Sequence, residues 1–159
     1  MQVKRAPSYS APRRSTPNRA GRSATRASSS KVQNAARRIA RGRLAESLHD
    51  LSDGGLATAA AESTFGPERV GAALHLESDL PTAQLLFHEA PSRVLLSVTE
   101  EHLDRVLQVA KEEGAPALVV GRTGGDELKV SVNGEELFST AVDDLFQAWD
   151  TALEGMLGK

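Results

Sequence analysis

The stretch HDLSDGGL, residues 49–56, lies between two amphipathic runs and is the segment that decides the fold. Gly54 and Gly55 allow a sharp turn or a close backbone approach, because neither carries a Cβ atom. Asp53 is a good N-cap for a helix that begins at Gly54. The free N–H groups of that helix would point towards an anion, and Asp50 is placed to hold a cation or to orient those donors. The same residues also fit a capped loop-to-helix junction that binds no ligand, so local chemistry leaves both interpretations open.

Charge is distributed unevenly along the 159 residues, a length that favours one domain. Of the 19 Lys and Arg residues, twelve lie in residues 1–43, which contain no Asp or Glu. Residues 44–159 hold the other seven together with all 21 acidic residues, a net charge of −14. The absence of cysteine excludes disulfides and thiolate metal sites. With no apolar run of about 20 residues and no apolar signal core, we expect a cytoplasmic protein without a membrane span.

Residues 1–30 form a basic Ser/Arg/Pro-rich tail without hydrophobic periodicity, and we predict that they are disordered. Three interpretations of this tail remain open. The first is a passive extension, including one created by a truncated or misassigned reading frame. The second is an organelle transit peptide, and the third is an electrostatic arm for nucleic acid. The globular domain is predicted to cover residues 32–159.

Apolar spacing predicts the secondary structure of that domain. The apolar run at residues 94–98 is typical of a buried strand, and Thr99 is expected to cap the helix that follows it. Asn133-Gly134 is a strong two-residue hairpin signal. Further helices are predicted at residues 32–47, 54–65, 81–88 and 142–157, and further strands at residues 70–76, 117–121, 127–132 and 135–140.

The order of these elements predicts an α+β fold, a mixed sheet with the helices packed on one face. His75 is assigned to a strand surface, and Trp149 to the core. Arg37, Arg38 and Arg41 are assigned to a solvated helix face.

A second cluster of polar residues precedes the apolar strand. Glu89, Ser92 and Arg93 are suited to contact a phosphate or a carboxylate, and Arg in particular favours bidentate phosphate contacts. The alternative is an Arg93–Glu89 surface pair. The chain has no Walker loop, zincin pair or GxSxG elbow, so the sequence does not assemble a self-sufficient active site.

Four segments in order carry a family resemblance: HDLSDGGLATAAAE (49–62), LLFHEAPSRVLLSVT (85–99), GAPALVVGRTGG (114–125) and LFQAWDTAL (145–153). Together they resemble the last domain of phosphoribosylformylglycinamidine synthase, the second of its two AIR synthase-related C-terminal domains. The resemblance covers roughly residues 32–159, and the tail lies outside it.

The resemblance implies a ligase reaction in purine biosynthesis. ATP activates the amide oxygen of formylglycinamide ribonucleotide, and ammonia that a glutaminase partner or domain releases from glutamine then displaces phosphate. Mg²⁺ bridges the phosphates in the complete enzyme. The amino-terminal lobes that supply most nucleotide and magnesium contacts in this superfamily are missing from this chain. The chain is therefore expected to be non-catalytic alone, with no catalytic residue and no metal ligand of its own.

The resemblance also implies a groove between lobes. Asp50, Ser52, Asp53, Gly54 and Gly55 match its DLSDGG segment. The family also has a related Glu-Ser-Gln segment, which corresponds to Glu89-Ala90-Pro91 in this chain. Ala90 and Pro91 lack the polar side chains of Ser and Gln, and Pro91 also lacks the backbone N–H donor. The predicted nucleotide or phosphate groove comprises Asp50, Ser52, Asp53, Gly54, Gly55, Glu89, Ser92 and Arg93.

Expected partners are the remaining lobes, a glutaminase and a second copy in a homodimer. We expect neither a membrane nor a nucleic-acid partner. Two alternatives from other classes remain: a stand-alone nucleotide- or phosphate-binding module acting through residues 49–55 and Arg93, and a nucleic-acid-associated adaptor acting through the basic tail.

Overall fold

The computed structural model describes residues 2–5 and 19–152, with side chains from residue 30 onward. The described residues form five helices and seven strands. The strands are β1 (Gln2–Arg5), β2 (Ser47–Asp50), β3 (Ala72–Leu76), β4 (Val94–Val98), β5 (Leu118–Thr123), β6 (Glu127–Val132) and β7 (Glu135–Ala141). The helices are α1 (Arg19–Arg41), α2 (Gly55–Glu62), α3 (Thr82–Phe87), α4 (Glu100–Glu112) and α5 (Val142–Asp150). None of these helices has the length and apolar content that a membrane crossing requires.

All seven strands join one sheet in the order β2-β4-β1-β5-β3-β6-β7. The β3–β6 pair is parallel, and the other pairs are antiparallel. The predicted α+β class and the mixed sheet are therefore confirmed. Strand β1 lies between β4 and β5, two consecutive strands that are both far from it in the sequence.

Strand β4 is buried at all five positions and separates two hydrophobic cores. Leu95 packs in the larger core with residues of α2, α3, β3 and β6. Leu96 and Val98 point the other way and pack against Ile39 of α1 and against Val106 and Val109 of α4. Successive strand residues face opposite sides, so this division follows directly from the pleat. The expectation that all helices pack on one face is wrong, because α1 and α4 cover the face opposite α2.

Helix α1 begins at Arg19 and ends at Arg41, whereas the sequence predicted a helix at residues 32–47. Val32, Ala35 and Ile39 form its buried stripe, as the spacing predicted. The structure differs from the predicted disorder at residues 2–5, which form β1, and at residues 19–30, which are helical. Residues 6–18 lie outside the described residues, so disorder there stays a prediction.

The elements whose own residues contain a helix cap or a turn motif agree with the prediction. Thr99 caps α4 by accepting a hydrogen bond from the backbone N–H of His102 at 3.3 Å. Asn133 and Gly134 both have positive φ, 52° and 83°, as a type I′ hairpin turn between β6 and β7 requires. Leu128, Val130 and Val132 all point into the core.

The assignment of Trp149 to the core is wrong. Its side chain is 56% exposed on the outside of α5. Its ring lies 5.8 Å from that of Phe146 and 5.7 Å from that of Phe65, measured between centroids. Arg69 lies over the Phe146 ring at 4.0 Å. Residues 153–159 lie outside the described residues, so the end of the predicted helix at residue 157 stays a prediction.

Gly121 in β5 should be essential for the β3–β5 pair. A Cβ atom at this position would collide with the backbone carbonyl oxygen of Ala73, and backbone atoms can move little inside a sheet. We expect Gly121→Ala to lower the free energy of unfolding by about 1–3 kcal/mol, as overpacking does. Chemical denaturation measures this loss. Gly66→Ala is the matched control, because nothing lies within 4 Å of the added atom, and equal effects of the two substitutions would contradict the argument.

Arg38 connects α1 to the end of α4 by an ion pair that should depend on pH. Its guanidinium donates to Glu113 at 2.6 Å and to Glu112 at 2.7 Å. The hydrogen bond from Arg38, followed by that from Gln108, lowers the pKa of the Glu112 carboxyl below its ordinary value. This stabilisation is therefore complete above the unfolded-state pKa and is lost as the pH falls through the folded-state pKa.

Accordingly, Arg38→Met should destabilise the protein at pH 7 and make little difference at about pH 3, where the carboxylates become protonated. Urea unfolding at the two pH values measures the difference. The exposed neighbour Arg37, changed to Met, provides the control and should show no such pH dependence. A loss of stability in Arg38→Met that stays constant between the two pH values would show that the ion pair contributes nothing.

Candidate functional site

The first two residues of the HDLSDGGL stretch lie at the end of a strand that the sequence did not predict. Residues 47–50 of β2 pair with residues 94–97 of β4 in antiparallel register. The imidazole of His49 lies between two oxygen atoms. Its Nδ1 is 2.7 Å from the Asp50 carbonyl oxygen, and its Nε2 is 3.0 Å from a carboxylate oxygen of Glu62. His49 therefore ties the start of the stretch to the end of α2.

Hydrogen bonds with the segment that leads into β4 fix the loop after β2. The backbone N–H of Leu51 donates to the Arg93 carbonyl oxygen at 2.9 Å and extends the β2–β4 ladder. The Ser52 hydroxyl donates to Asp50 Oδ2 at 3.0 Å. The backbone N–H of Gly54 donates to Glu89 Oε1 at 3.0 Å. The loop is thus held at two points along its length, Leu51 and Gly54.

The start of α2 differs from the prediction. Gly54, not Asp53, is the N-cap residue, with a left-handed φ of 74°, and no side chain caps the helix. The predicted capping role of Asp53 is therefore wrong. The Glu89 carboxylate lies at the helix N-terminus instead, where a negative charge is stabilised by the helix dipole.

Gly55 explains why this junction contains two glycines. Its φ is 64°, and a Cβ atom there would lie 2.8 Å from the carbonyl oxygen of Leu86 and 3.0 Å from the Cα atom of Phe87. The first turn of α2 therefore packs directly on the end of α3. A larger residue would separate the two helices and move Glu89 away from Gly54.

The polar residues of the segment that leads into β4 differ from one another in exposure. Glu89 is exposed, and its carboxylate faces the loop at residues 51–55. Ser92 is half-buried with a left-handed φ of 65°. Arg93 is only 5% exposed, and its Nη1 donates to the His88 carbonyl oxygen at 3.1 Å. Arg93 therefore forms part of the interior and does not present its guanidinium at the mouth of a surface groove.

The structure thus brings together the two candidate segments that lie about 35 residues apart in the sequence. Asp50, Ser52, Asp53 and Glu89 are exposed on one surface, which we call the acidic loop surface, while Gly54 and Gly55 shape its backbone. Within residues 30–152, no three His, Asp or Glu side chains are arranged to hold a metal ion. The sequence missed the His49–Glu62 contact, since Glu62 is 13 residues away with no motif linking the two.

A cleft of about 460 Å³ lies near the opposite end of α2, and no pattern in the sequence predicted it. Its walls include Leu74 and Leu95 from the sheet and Ser63, Thr64 and Arg69 from the end of α2 and the segment after it. This volume is in the range of small-molecule pockets. The cleft lies away from the predicted groove, so the two are separate features.

Comparison with known proteins identifies the family. The family model described as "AIR synthase related protein, C-terminal domain" matches residues 13–133. The phosphoribosylformylglycinamidine synthase subunit PurL of Moorella thermoacetica is 40% identical over 128 residues, covering 80% of this chain and 17% of the relative. The same subunit of Thermus thermophilus is 37% identical over 126 residues, covering 79% of this chain and 17% of the relative. The chain therefore spans about one sixth of the length of these relatives.

Solved structures agree on the fold. PurL of Thermotoga maritima in complex with FGAR superposes with a TM-score of 0.66 at 21% identity, covering 74% of this chain and 20% of that one. The ATP complex of the same protein gives a TM-score of 0.64, covering 72% of this chain and 21% of that one. The chain belongs to the AIR synthase-related family, and it corresponds to the C-terminal domain of phosphoribosylformylglycinamidine synthase subunits.

Proposed function

We propose that this chain works as one lobe of a phosphoribosylformylglycinamidine synthase and has no activity without the other lobes. The observation that carries the proposal is that the chain spans 17% of the length of its curated relatives and matches them over 80% of its own length. The remaining five sixths of those subunits would supply most of the active site. The reaction would be the amidation of formylglycinamide ribonucleotide, with ATP and Mg²⁺ bound by the complete enzyme.

The acidic loop surface would face those lobes. Asp50, Ser52 and Asp53 project from a loop whose backbone is fixed by Glu89 and by the β2–β4 ladder. A loop held in this way keeps its side chains in place before a partner arrives, which lowers the entropy cost of association. We propose that these side chains contribute to the groove between lobes, and that Arg93, being buried, supports the segment from inside.

The geometry does not favour the stand-alone phosphate module. The Gly54 N–H, a donor at the start of α2, already binds the carboxylate of Glu89. A phosphate at this position would have to displace a negative charge and would lie beside Asp50 and Asp53. The lobe assignment therefore remains the better proposal.

A multi-component assembly named among the matching structures also supports the proposal that this chain works as one lobe of a larger enzyme. One of the matching structures is described as PurLQS from Thermotoga maritima, an assembly of PurL with further components. We propose that a glutaminase supplies ammonia to the assembly that contains this chain. Homodimer formation and a cytoplasmic location stay predictions.

A complementation assay tests the proposed function. The T. thermophilus relative, shortened by the part that matches this chain, is assayed for amidation alone and with this chain added. We expect this chain alone to give no ADP or phosphate release, and the mixture to recover activity that the shortened relative lacks. Turnover by the isolated 159-residue chain would refute the proposal.

The role of Glu89 is tested separately by hydrogen exchange. Glu89→Ala removes the acceptor of the Gly54 N–H, so the Gly54 amide should exchange several-fold faster while amides of β6 remain protected. Glu77→Ala, which removes another exposed carboxylate and leaves the Glu89 acceptor in place, is the control. Unchanged exchange at Gly54 in Glu89→Ala would mean that the loop is held by its other hydrogen bonds.

A further inference from the structure

The Asn133 side chain connects the β6–β7 turn to the segment that follows β3. Its Oδ1 accepts a hydrogen bond from the backbone N–H of Ser78 at 3.0 Å, and its Nδ2 donates to the carbonyl oxygen of Ser78 at 3.0 Å. We call these two hydrogen bonds the Asn133 clamp. The backbone N–H of Asn133 also donates to the Leu76 carbonyl oxygen at 2.9 Å. The side-chain amide therefore extends the parallel β3–β6 pairing beyond the last residues of both strands.

The Asn133 clamp holds the chain that leads into α3. The Ser78 hydroxyl accepts from the backbone N–H of Leu80 at 3.1 Å, and Leu80 is half-buried against the larger core. Helix α3 begins two residues later, and its other end packs against Gly55 at the start of α2. The clamp is thus one of the contacts that fix the segment before a helix on which the start of α2 rests.

Only an amide side chain satisfies this contact. Ser78 presents one backbone donor and one backbone acceptor, so its partner must accept at one atom and donate at the other. An ionised carboxylate only accepts. An aspartate at position 133 would therefore place an oxygen against the Ser78 carbonyl oxygen and leave that oxygen without its donor. Glu77 and Asp79 on either side of Ser78 would repel the new negative charge as well.

The residue after Asn133 favours this conversion chemically. In deamidation, the backbone nitrogen of the next residue bonds to the Asn Cγ atom, and the Cγ–Nδ2 bond breaks to release ammonia. Water then opens the cyclic imide to aspartate or isoaspartate. Gly134 has no Cβ atom to hinder the attack, and an atom built there meets nothing within 4 Å. Asn133 and Gly134 are both exposed, so water reaches the reacting atoms.

From these observations we propose that Asn133 is a site of spontaneous deamidation and that the reaction permanently releases the segment before α3. The Asn133 clamp holds the amide in place, so the reaction proceeds from molecules in which the clamp is open. The clamp cannot form again after the reaction, because its donor has left as ammonia. This inference concerns a modification of the turn and does not depend on the proposed enzymatic role.

The first test follows deamidation in the folded full-length chain. The protein is incubated at neutral pH, and peptide mapping by mass spectrometry measures conversion at Asn133 and at Asn34, an exposed asparagine in α1 that precedes alanine. We expect Asn133 to convert faster than Asn34. Ser78→Pro removes the donor to Oδ1 and should accelerate conversion at Asn133 by at least about fivefold. Ser78→Ala keeps both backbone groups and is the matched control. Conversion at Asn133 no faster than at Asn34, or equal rates at Asn133 in the two Ser78 variants, would overturn the proposal.

The second test measures the structural consequence and does not require the proline variant to fold. Asn133→Asp reproduces one product of the reaction, and the Ser78 amide should then exchange with solvent several-fold faster, while amides of α4 keep their protection. Asn34→Asp adds the same charge at an exposed helix position and should leave Ser78 exchange unchanged. Equal exchange at Ser78 in Asn133→Asp and in the unchanged chain would show that deamidation releases nothing and would overturn the proposal.

Discussion

The burial of β4 on both faces is the constraint on which the rest of the structure depends. A strand of five apolar or small residues with no exposed position needs a cover on each side and a hydrogen-bonded neighbour along each edge. Alternation then assigns Leu95 to one core and Leu96 and Val98 to the other. Helix α2 and the loop before it lie on the first side, and α1 and α4 lie on the second. The same strand positions the acidic loop surface, because the backbone N–H of Leu51 extends the β2–β4 ladder by donating to the Arg93 carbonyl oxygen.

The sequence predicts an element of this fold well when the signals for that element lie within its own residues, and poorly when they lie in distant strands. Helix α4 and the β6–β7 hairpin carry a cap, a stripe or a turn within their own residues, and both were predicted correctly. Strands β1 and β2 have no such pattern; their conformation comes from pairing with β4, which is distant in the sequence. The placement of α1 and α4 against the second face was missed for a related reason. An apolar run such as residues 94–98 shows that a strand is buried, but not how many cores it contacts.

The candidate site was predicted as two separate segments, and only the family resemblance placed them in one groove. Their meeting depends on Gly55, since the close approach of α2 to α3 brings Glu89 to the Gly54 N–H. Nothing in the local sequence specifies that approach. The same limitation explains the errors at Asp53 and Arg93. A good capping residue was displaced by a left-handed glycine, and a cation expected at the surface is surrounded by packing that the sequence does not show.

The Glu89–Gly54 contact also determines what the acidic loop surface can bind. A helix N-terminus normally attracts anions, yet here a carboxylate of the chain itself already accepts from its N–H group. Asp50 and Asp53 add two more negative charges beside it, and residues 44–159 carry a net charge of −14. A phosphate group that approaches this surface alone meets repulsion from these carboxylates. Under the proposed function, the positive charge that a nucleotide or a phosphorylated substrate needs there would come from a metal ion or from another lobe. The charge of this surface therefore supports the proposal that it completes a site to which a neighbouring lobe contributes.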